Sequence, residues 1–107
     1  MTAKLHHIAV RTDHFDETVR FFREVFGMEV SRQEGTAPGR QLWFHQGIQV
    51  NETTDPRKDS YLYHHIGLLV DNVAEAMEAA VAYGCKPVEG KNGWFKTSDG
   101  LVIELKE

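Results

Sequence analysis

His65-Ile66-Gly67-Leu68-Leu69-Val70 decides how this chain is read, because it repeats the opening stretch His7-Ile8-Ala9-Val10-Arg11-Thr12. Self-similarity at long spacing points to one structural unit used twice. In both copies, strand-like alternation after the histidine gives way to a helical pattern. Phe15, Val19, Phe22 and Phe26 share one helical face in the first copy, and Val73, Met77, Ala80 and Val81 share one in the second. Asp13 or His14, ahead of Asp16 and Glu17, opens the first helix; Asn72, placed before Glu75 as in a capping box, opens the second. Gly27 and Gly84 close them, since a helix that ends in the left-handed region favours a residue without Cβ. Val30 and Val88 resume extended structure. The copies also finish alike. Trp43-Phe44-His45-Gln46-Gly47-Ile48-Gln49-Val50 matches Trp94-Phe95-Lys96-Thr97-Ser98-Asp99-Gly100-Leu101-Val102-Ile103-Glu104-Leu105 apart from the length of the hairpin. Each copy is therefore predicted as β-α-β-β-β. The first module covers about 4–52 and the second about 63–107, with the polar stretch 53–62 as a crossover inside one domain of residues 1–107.

The composition fits that size. With 41% hydrophobic and 26% charged residues, the 107-residue chain has the balance of an ordinary globular protein. A domain of this length buries about two-thirds of its unfolded surface. The apolar runs are too short to span a bilayer, and Met1-Thr2-Ala3-Lys4 leads into a strand-like segment without a signal-peptide pattern, so a cytoplasmic location is expected. The single cysteine, Cys85, makes no internal disulfide and sits after Gly84 in an expected helix-to-strand turn, with no catalytic role. A net charge of -4 and scattered Lys and Arg argue against a nucleic-acid partner.

Alternation along strands selects the polar candidates. If Ile8 and Val10 pack on the helix, His7, Ala9 and Arg11 take the other face; likewise Ile66, Leu68 and Val70 leave His65, Gly67 and Leu69. Leu101, Ile103 and Leu105 form an apolar row that leaves Val102 and Glu104 opposite, and Ile48 and Val50 leave Gln49 and Asn51. Two histidines, a glutamine and a glutamate thus fall on the faces away from the helices. These are donors for a borderline divalent ion such as Zn²⁺, Ni²⁺, Co²⁺, Mn²⁺ or Fe²⁺, with positions left for water or substrate. A cation would also keep Glu104 ionised in a partly apolar pocket. The alternatives are structural histidines bonded to backbone, and a one-residue slip that would replace Gln49 by Ile48 or Val50, with Asn51 as the other oxygen on its face. His6 and His64 read as surface or packing residues. Trp43, Trp94, Phe44 and Phe95 suit either core or substrate pocket, and Arg11 suits either an anionic substrate group or a surface ion pair. The segment from Asp55 to Asp59 reads as a solvated turn.

At His7-Ile-Ala-Val, at the helix ends Phe26-Gly27 and Tyr83-Gly84, at His65-Ile-Gly-Leu-Leu-Val and at Ser98-Asp99-Gly100-Leu-Val-Ile-Glu104-Leu, the sequence resembles the vicinal-oxygen-chelate superfamily. That group includes glyoxalase I, bleomycin-resistance proteins, methylmalonyl-CoA epimerase and extradiol dioxygenases. The resemblance implies an α+β fold of two βαβββ modules, a curved open mixed sheet around a metal cavity with helices outside, and a homodimer. By motif match it places metal ligands at His7, Gln49, His65 and Glu104. The chain lacks the N-terminal arm and long loops associated with glutathione recognition.

The expected activity is metal-dependent isomerase or lyase chemistry on a small substrate with vicinal oxygens, with Glu104 moving the proton as an enediolate forms. Arg11, Trp43, Trp94 and Phe95 are the candidate substrate contacts. The alternative is a small-molecule-sequestering protein of the bleomycin-resistance kind. An Fe(II) extradiol dioxygenase using His7, His65 and Glu104 ranks below both, since its further acid-base residues find no place here.

Overall fold

The computed structural model describes residues 2–55, 63–98 and 100–107. Of the crossover and the expected turn from Asp55 to Asp59, residues 56–62 lie outside that description, as does Asp99 of the second hairpin. The chain divides into two compact units, one of His7–His64 and one of Met1–His6 with His65–Glu107. Strand β1 (Lys4–Thr12) begins in the latter and runs on into the former.

The unit from His7 to His64 carries most of β1, helix α1 (Phe15–Phe26), and strands β2 (Val30–Glu34), β3 (Gln41–Phe44) and β4 (Ile48–Glu52). The strand order is β2-β3-β4-β1, with β1 and β4 parallel and the other pairs antiparallel. Phe15, Leu42, Phe44 and Val50 form its core, and Val10, Val19, Phe22, Met28 and Ile48 pack against them. Each of the four buried core side chains contributes roughly 1.5–3 kcal/mol by leaving water, and the partly buried ones less. Phe26, spaced for the same helical face, is 62% exposed, with its ring edge-on to that of Phe21 at 5.5 Å between centroids. The period of the apolar residues reports their direction, not how far the surface beneath them extends.

His14 is the N-cap of α1, but its side chain caps nothing; the Thr12 hydroxyl accepts the His14 N–H at 2.9 Å instead. Gly27 closes the helix at φ 64°, as expected. Across the top of β3 and β4, Arg40 donates from Nε and Nη2 to the two Glu52 oxygens at 2.8 and 2.7 Å, reaches Asp16 at 3.1 Å and covers the Phe15 ring. The hydrogen bond from Arg40 holds the Glu52 carboxyl below its ordinary range, against the opposing effect of desolvation.

The other unit holds β5 (Tyr63–Leu69), α2 (Val73–Ala82), β6 (Lys86–Pro87), β7 (Trp94–Lys96) and β8 (Val102–Lys106). Its order is β5-β8-β7-β6, with β5 and β8 parallel and the rest antiparallel, so the βαβββ plan of the first unit recurs. The eight strands belong to one mixed sheet, whose strand order ends at β2 and at β6. Val70, Phe95, Ile103 and Leu105 are the core, packed by Ile66, Leu68, Val73, Ala76, Met77, Ala80 and Cys85. Asn72 caps α2 as expected, accepting the Glu75 N–H at 2.9 Å. Tyr83 is the C-cap, and Gly84 follows at φ 107°. Val81 and Leu101, expected in apolar rows, are 48% and 43% exposed; Leu101 precedes β8 and so escapes its alternation. Gly93 is required by close approach: at φ 83°, a Cβ there would lie 3.1 Å from the Leu105 carbonyl and 3.3 Å from Val73. Among the described residues, no helix is long and apolar enough to cross a membrane.

Candidate metal centre

The hydrogen-bond register decides which side chains stand together in each unit. In the first, Ala9 pairs with Gln49 and Arg11 with Asn51 across the parallel ladder, while Trp43 pairs with Gln49 across the antiparallel one. Paired residues share a face, and His7 lies two residues before Ala9, so His7, Ala9, Arg11, Trp43, Gln49 and Asn51 are on the side away from α1. The register is not slipped by one residue: Val50, not Gln49, enters the core. His7 and Gln49 are buried, at 3% and 5% exposure. Gln49 Nε2 donates to Asn51 Oδ1 at 2.8 Å, which orients the amide and leaves Gln49 Oε1 as the atom able to bind a cation.

The second unit repeats the arrangement with stronger donors. Gly67 and Trp94 flank Glu104 on either side, just as Ala9 and Trp43 flank Gln49. His65, 3% exposed, places Nε2 3.1 Å from Glu104 Oε1, and its ring lies 4.5 Å from that of Trp94 at a tilt of 56°. Both tryptophans carry a cation over the ring: the Arg32 guanidinium at 4.1 Å from Trp43 and the Lys91 ammonium at 4.5 Å from Trp94.

Each unit therefore presents a three-residue rung in which a small residue, a donor and a tryptophan lie side by side, with a buried histidine on the same face. Burying such polar groups is costly unless they are bonded or bind a ligand. An imidazole with an amide oxygen in the first unit, and an imidazole with a carboxylate in the second, are donor types that borderline divalent ions take.

Other expected residues lie elsewhere. Phe95 pairs with Ile103 and belongs to the core beneath α2, as Phe44 belongs to the core beneath α1, so neither faces the donors. His6 is exposed and His64 half-buried. Of the candidate site residues, only Arg11 also borders the groove of about 870 Å³ beside α1, whose walls include Val10, His14, Glu17, Phe21 and Phe22. That groove lies between α1 and the end of β1 and contains none of the four donors. Reasoning from sequence missed the roles of Ala9 and Gly67, although alternation had put both on the donor rows. It also missed Arg32 and Lys91, whose positions over the rings depend on strand and turn geometry that no local pattern announces.

A family described as the Glyoxalase/Bleomycin resistance protein/Dioxygenase superfamily matches residues 4–105. No curated protein matches the chain. Among solved structures, a hypothetical protein from Bacillus halodurans C-125 is similar at 18% identity and TM-score 0.75, covering 100% of this chain and 97% of that one. A variant of Streptomyces coelicolor methylmalonyl-CoA epimerase in complex with 2-nitronate-propionyl-CoA is similar at 21% identity and TM-score 0.69, over 95% of this chain and 94% of the epimerase. The Mn(II)-bound glyoxalase from Novosphingobium aromaticivorans is similar at 23% identity and TM-score 0.67, over 95% of this chain but 38% of its own length. At these identities the likeness is one of fold.

Proposed function

Because the chain belongs to the Glyoxalase/Bleomycin resistance protein/Dioxygenase superfamily, we propose that it is a metal-dependent isomerase or lyase of the glyoxalase type, acting on a small substrate with two neighbouring oxygens. The proposed ligands of its one divalent ion are His7 and Gln49 from one unit and His65 and Glu104 from the other; His7, His65 and Glu104 are a donor group suited to a metal. The observation that carries the reading is the repeated rung, which sets Glu104 and Gln49 in matching registers and Glu104 against the His65 imidazole.

When bound, such an ion polarises the chelated substrate oxygens and stabilises the negative charge that develops as the neighbouring C–H ionises, an effect of several kcal/mol, roughly. The chain's own contribution is placement and proton movement. Glu104 takes the proton from that carbon and returns it to the same or the adjacent one, which accelerates the step about 10²–10⁴-fold when a base is well positioned. His65 steers the carboxylate through the 3.1 Å contact. Asn51 holds the Gln49 amide in its donor orientation. Arg11, on the same face as His7, takes an anionic group of the substrate, and Trp43 borders the site beside Gln49. The reading includes a homodimer with a small molecule as its partner, which the family resemblance supports, and a single-domain chain in the cytoplasm, as expected from the length and patterning of the sequence.

The test is elemental analysis of the gently purified protein, followed by melting with and without added Co²⁺, Mn²⁺, Ni²⁺ or Zn²⁺, and by solvent-deuterium incorporation into a panel of small 2-hydroxy and 2-oxo carbonyl compounds. One ion per chain is expected. At a hundred times Kd, the ion should add about 2.7 kcal/mol to stability. Exchange at the C–H should fall at least about a hundredfold in Glu104→Gln. No bound ion and no rise in Tm with any of the four metals would point instead to a metal-free, ligand-sequestering protein.

A further inference from the structure

We propose that the outer edge of β2 is a docking surface for a second copy of this chain, which adds its own β2 antiparallel to the first with Gln33 on the twofold axis. This rests on the homodimer named above and gives it an interface. Strand β2 lies at one end of the strand order, and all five of its residues, Val30–Glu34, are exposed. Every second residue of such a strand turns its N–H and C=O groups away from the neighbouring strand, a template for a further one. Edges are commonly blunted by proline, lysine or shortness. The edge strand of the other unit is blunted in all three ways, since β6 is only Lys86–Pro87. None of the three applies to β2.

Charge chooses both the partner and the register. Arg32 and Glu34 are two residues apart and so share a strand face, the face of Trp43, where Arg32 covers the indole ring at 4.1 Å. Their side chains are 58% and 57% exposed, and their own contact is loose, at 3.8 Å, which in water is worth little. In an antiparallel pair of identical strands, an axis through Gln33 sets Arg32 directly opposite the partner's Glu34, and Glu34 opposite the partner's Arg32. An axis through Arg32 would set like charges against one another instead. Directly opposed side chains stand about 5 Å apart at Cβ, where unlike charges attract and like charges repel. In one register the edge is thus complementary to itself, as an isologous contact requires. The β2–β3 pairing shifts between Val30 and Arg32, so the regular ladder open to a partner is residues 32–34.

The opposite face is compatible with this pairing. Gln33 pairs with Leu42 and borders a hollow of about 470 Å³ beside α1, whose walls include Arg20, Arg23 and Glu24. Pairing about Gln33 keeps both α1 helices on one side of the extended sheet, so the two Gln33 amides, each donor and acceptor, meet between two such hollows. A ladder this short buries less than the ~800 Å² per partner of a standard interface, so the dimer should come apart on dilution.

The experiment is sedimentation equilibrium of the full chain over a dilution series, for wild type, Arg32→Glu, Glu34→Arg, an equimolar mixture of those two variants, and the double variant Arg32→Glu/Glu34→Arg, with Tm recorded to show that each folds. Wild type should dimerise. Each single variant alone should self-associate at least about tenfold more weakly, the equivalent of ~1.4 kcal/mol, because both cross-strand pairs turn from attractive to repulsive. The mixture should recover wild-type association, since one variant carries two acidic residues on that face and the other two basic ones, and the double variant should recover it alone. A wild-type dimer that both single variants retain undiminished would refute the edge as the interface and leave the homodimer standing. Single variants that dissociate and do not associate on mixing would also refute the pairing. A monomeric wild type would overturn the homodimer and the pairing together, and leave the edge to some other extended chain.

Discussion

Gly67→Val should separate the stability of the fold from the competence of the site. Gly67 lies directly beside Glu104 in the parallel ladder, and His65 lies two residues along β5 on the same face. Two strand rises are about 6.6 Å and the gap between strands about 4.8 Å, so the backbones of residues 65 and 104 stand roughly 8 Å apart on the diagonal. For Glu104 Oε1 to come within 3.1 Å of His65 Nε2, the two side chains must lean toward each other past position 67, where glycine offers no side chain. A β-branched residue would occupy that path. Displaced supporting groups weaken metal binding by about 10–100-fold, which is ~1.4–2.7 kcal/mol. The strand itself should gain, because valine favours extended structure over glycine by up to about 1 kcal/mol. Gly67→Ala should stay close to wild type, since the matching place in the first unit is already Ala9, fully buried. Calorimetric titration with Co²⁺, together with melting of the metal-free proteins, reads both quantities. Gly67→Val binding Co²⁺ with wild-type Kd and a held or raised Tm would refute this account of the rung.

The remaining predictions concern the scaffold. Leu42→Ala, at 2% exposure in the core beneath α1, should cost about 2–5 kcal/mol by urea denaturation. Asn72→Ala should cost ~1 kcal/mol by the same assay, and His14→Ala within about 0.5 kcal/mol, because only the former side chain accepts a capping N–H. Glu52, held below its usual pKa in the folded chain by Arg40, contributes stability that is present above the ordinary carboxylate range and is lost as pH falls through the lowered folded value. Acid titration of Glu52→Gln should therefore show a shallower loss of stability than wild type, and identical profiles would deny the Arg40 clasp this role.

Much of the architecture was legible because two signals have fixed geometry. Period-two alternation put His7, Gln49, His65 and Glu104 on the faces away from the helices, where the register indeed leaves them, and the internal repeat told one βαβββ plan from its second use. Asn72 was readable as a cap, since its side-chain oxygen reaches a neighbouring N–H through local chain geometry alone. The exposure of Phe26, Val81 and Leu101 is not legible in the spacing that groups them with apolar neighbours, because it depends on where the apposed surface stops, a tertiary quantity with no period. Phe95, a candidate substrate contact by its aromatic side chain, shares the parity of Ile103, and that parity sends it to the core. The ring contacts of Trp94 with His65 and Lys91 could not be read in advance, because they join a strand, a turn and a partner strand whose spacing only the folded chain defines.

The central claim is that His7, Gln49, His65 and Glu104 hold one divalent ion. An anomalous difference map from crystals grown with Co²⁺, with data on both sides of the cobalt absorption edge, measures this directly. The expected result is a single strong peak per chain bounded by the two imidazoles, the Glu104 carboxylate and Gln49 Oε1, at the ~2.0–2.2 Å distances usual for such donors. A map with no peak there, or with its peak held by other side chains, would contradict it.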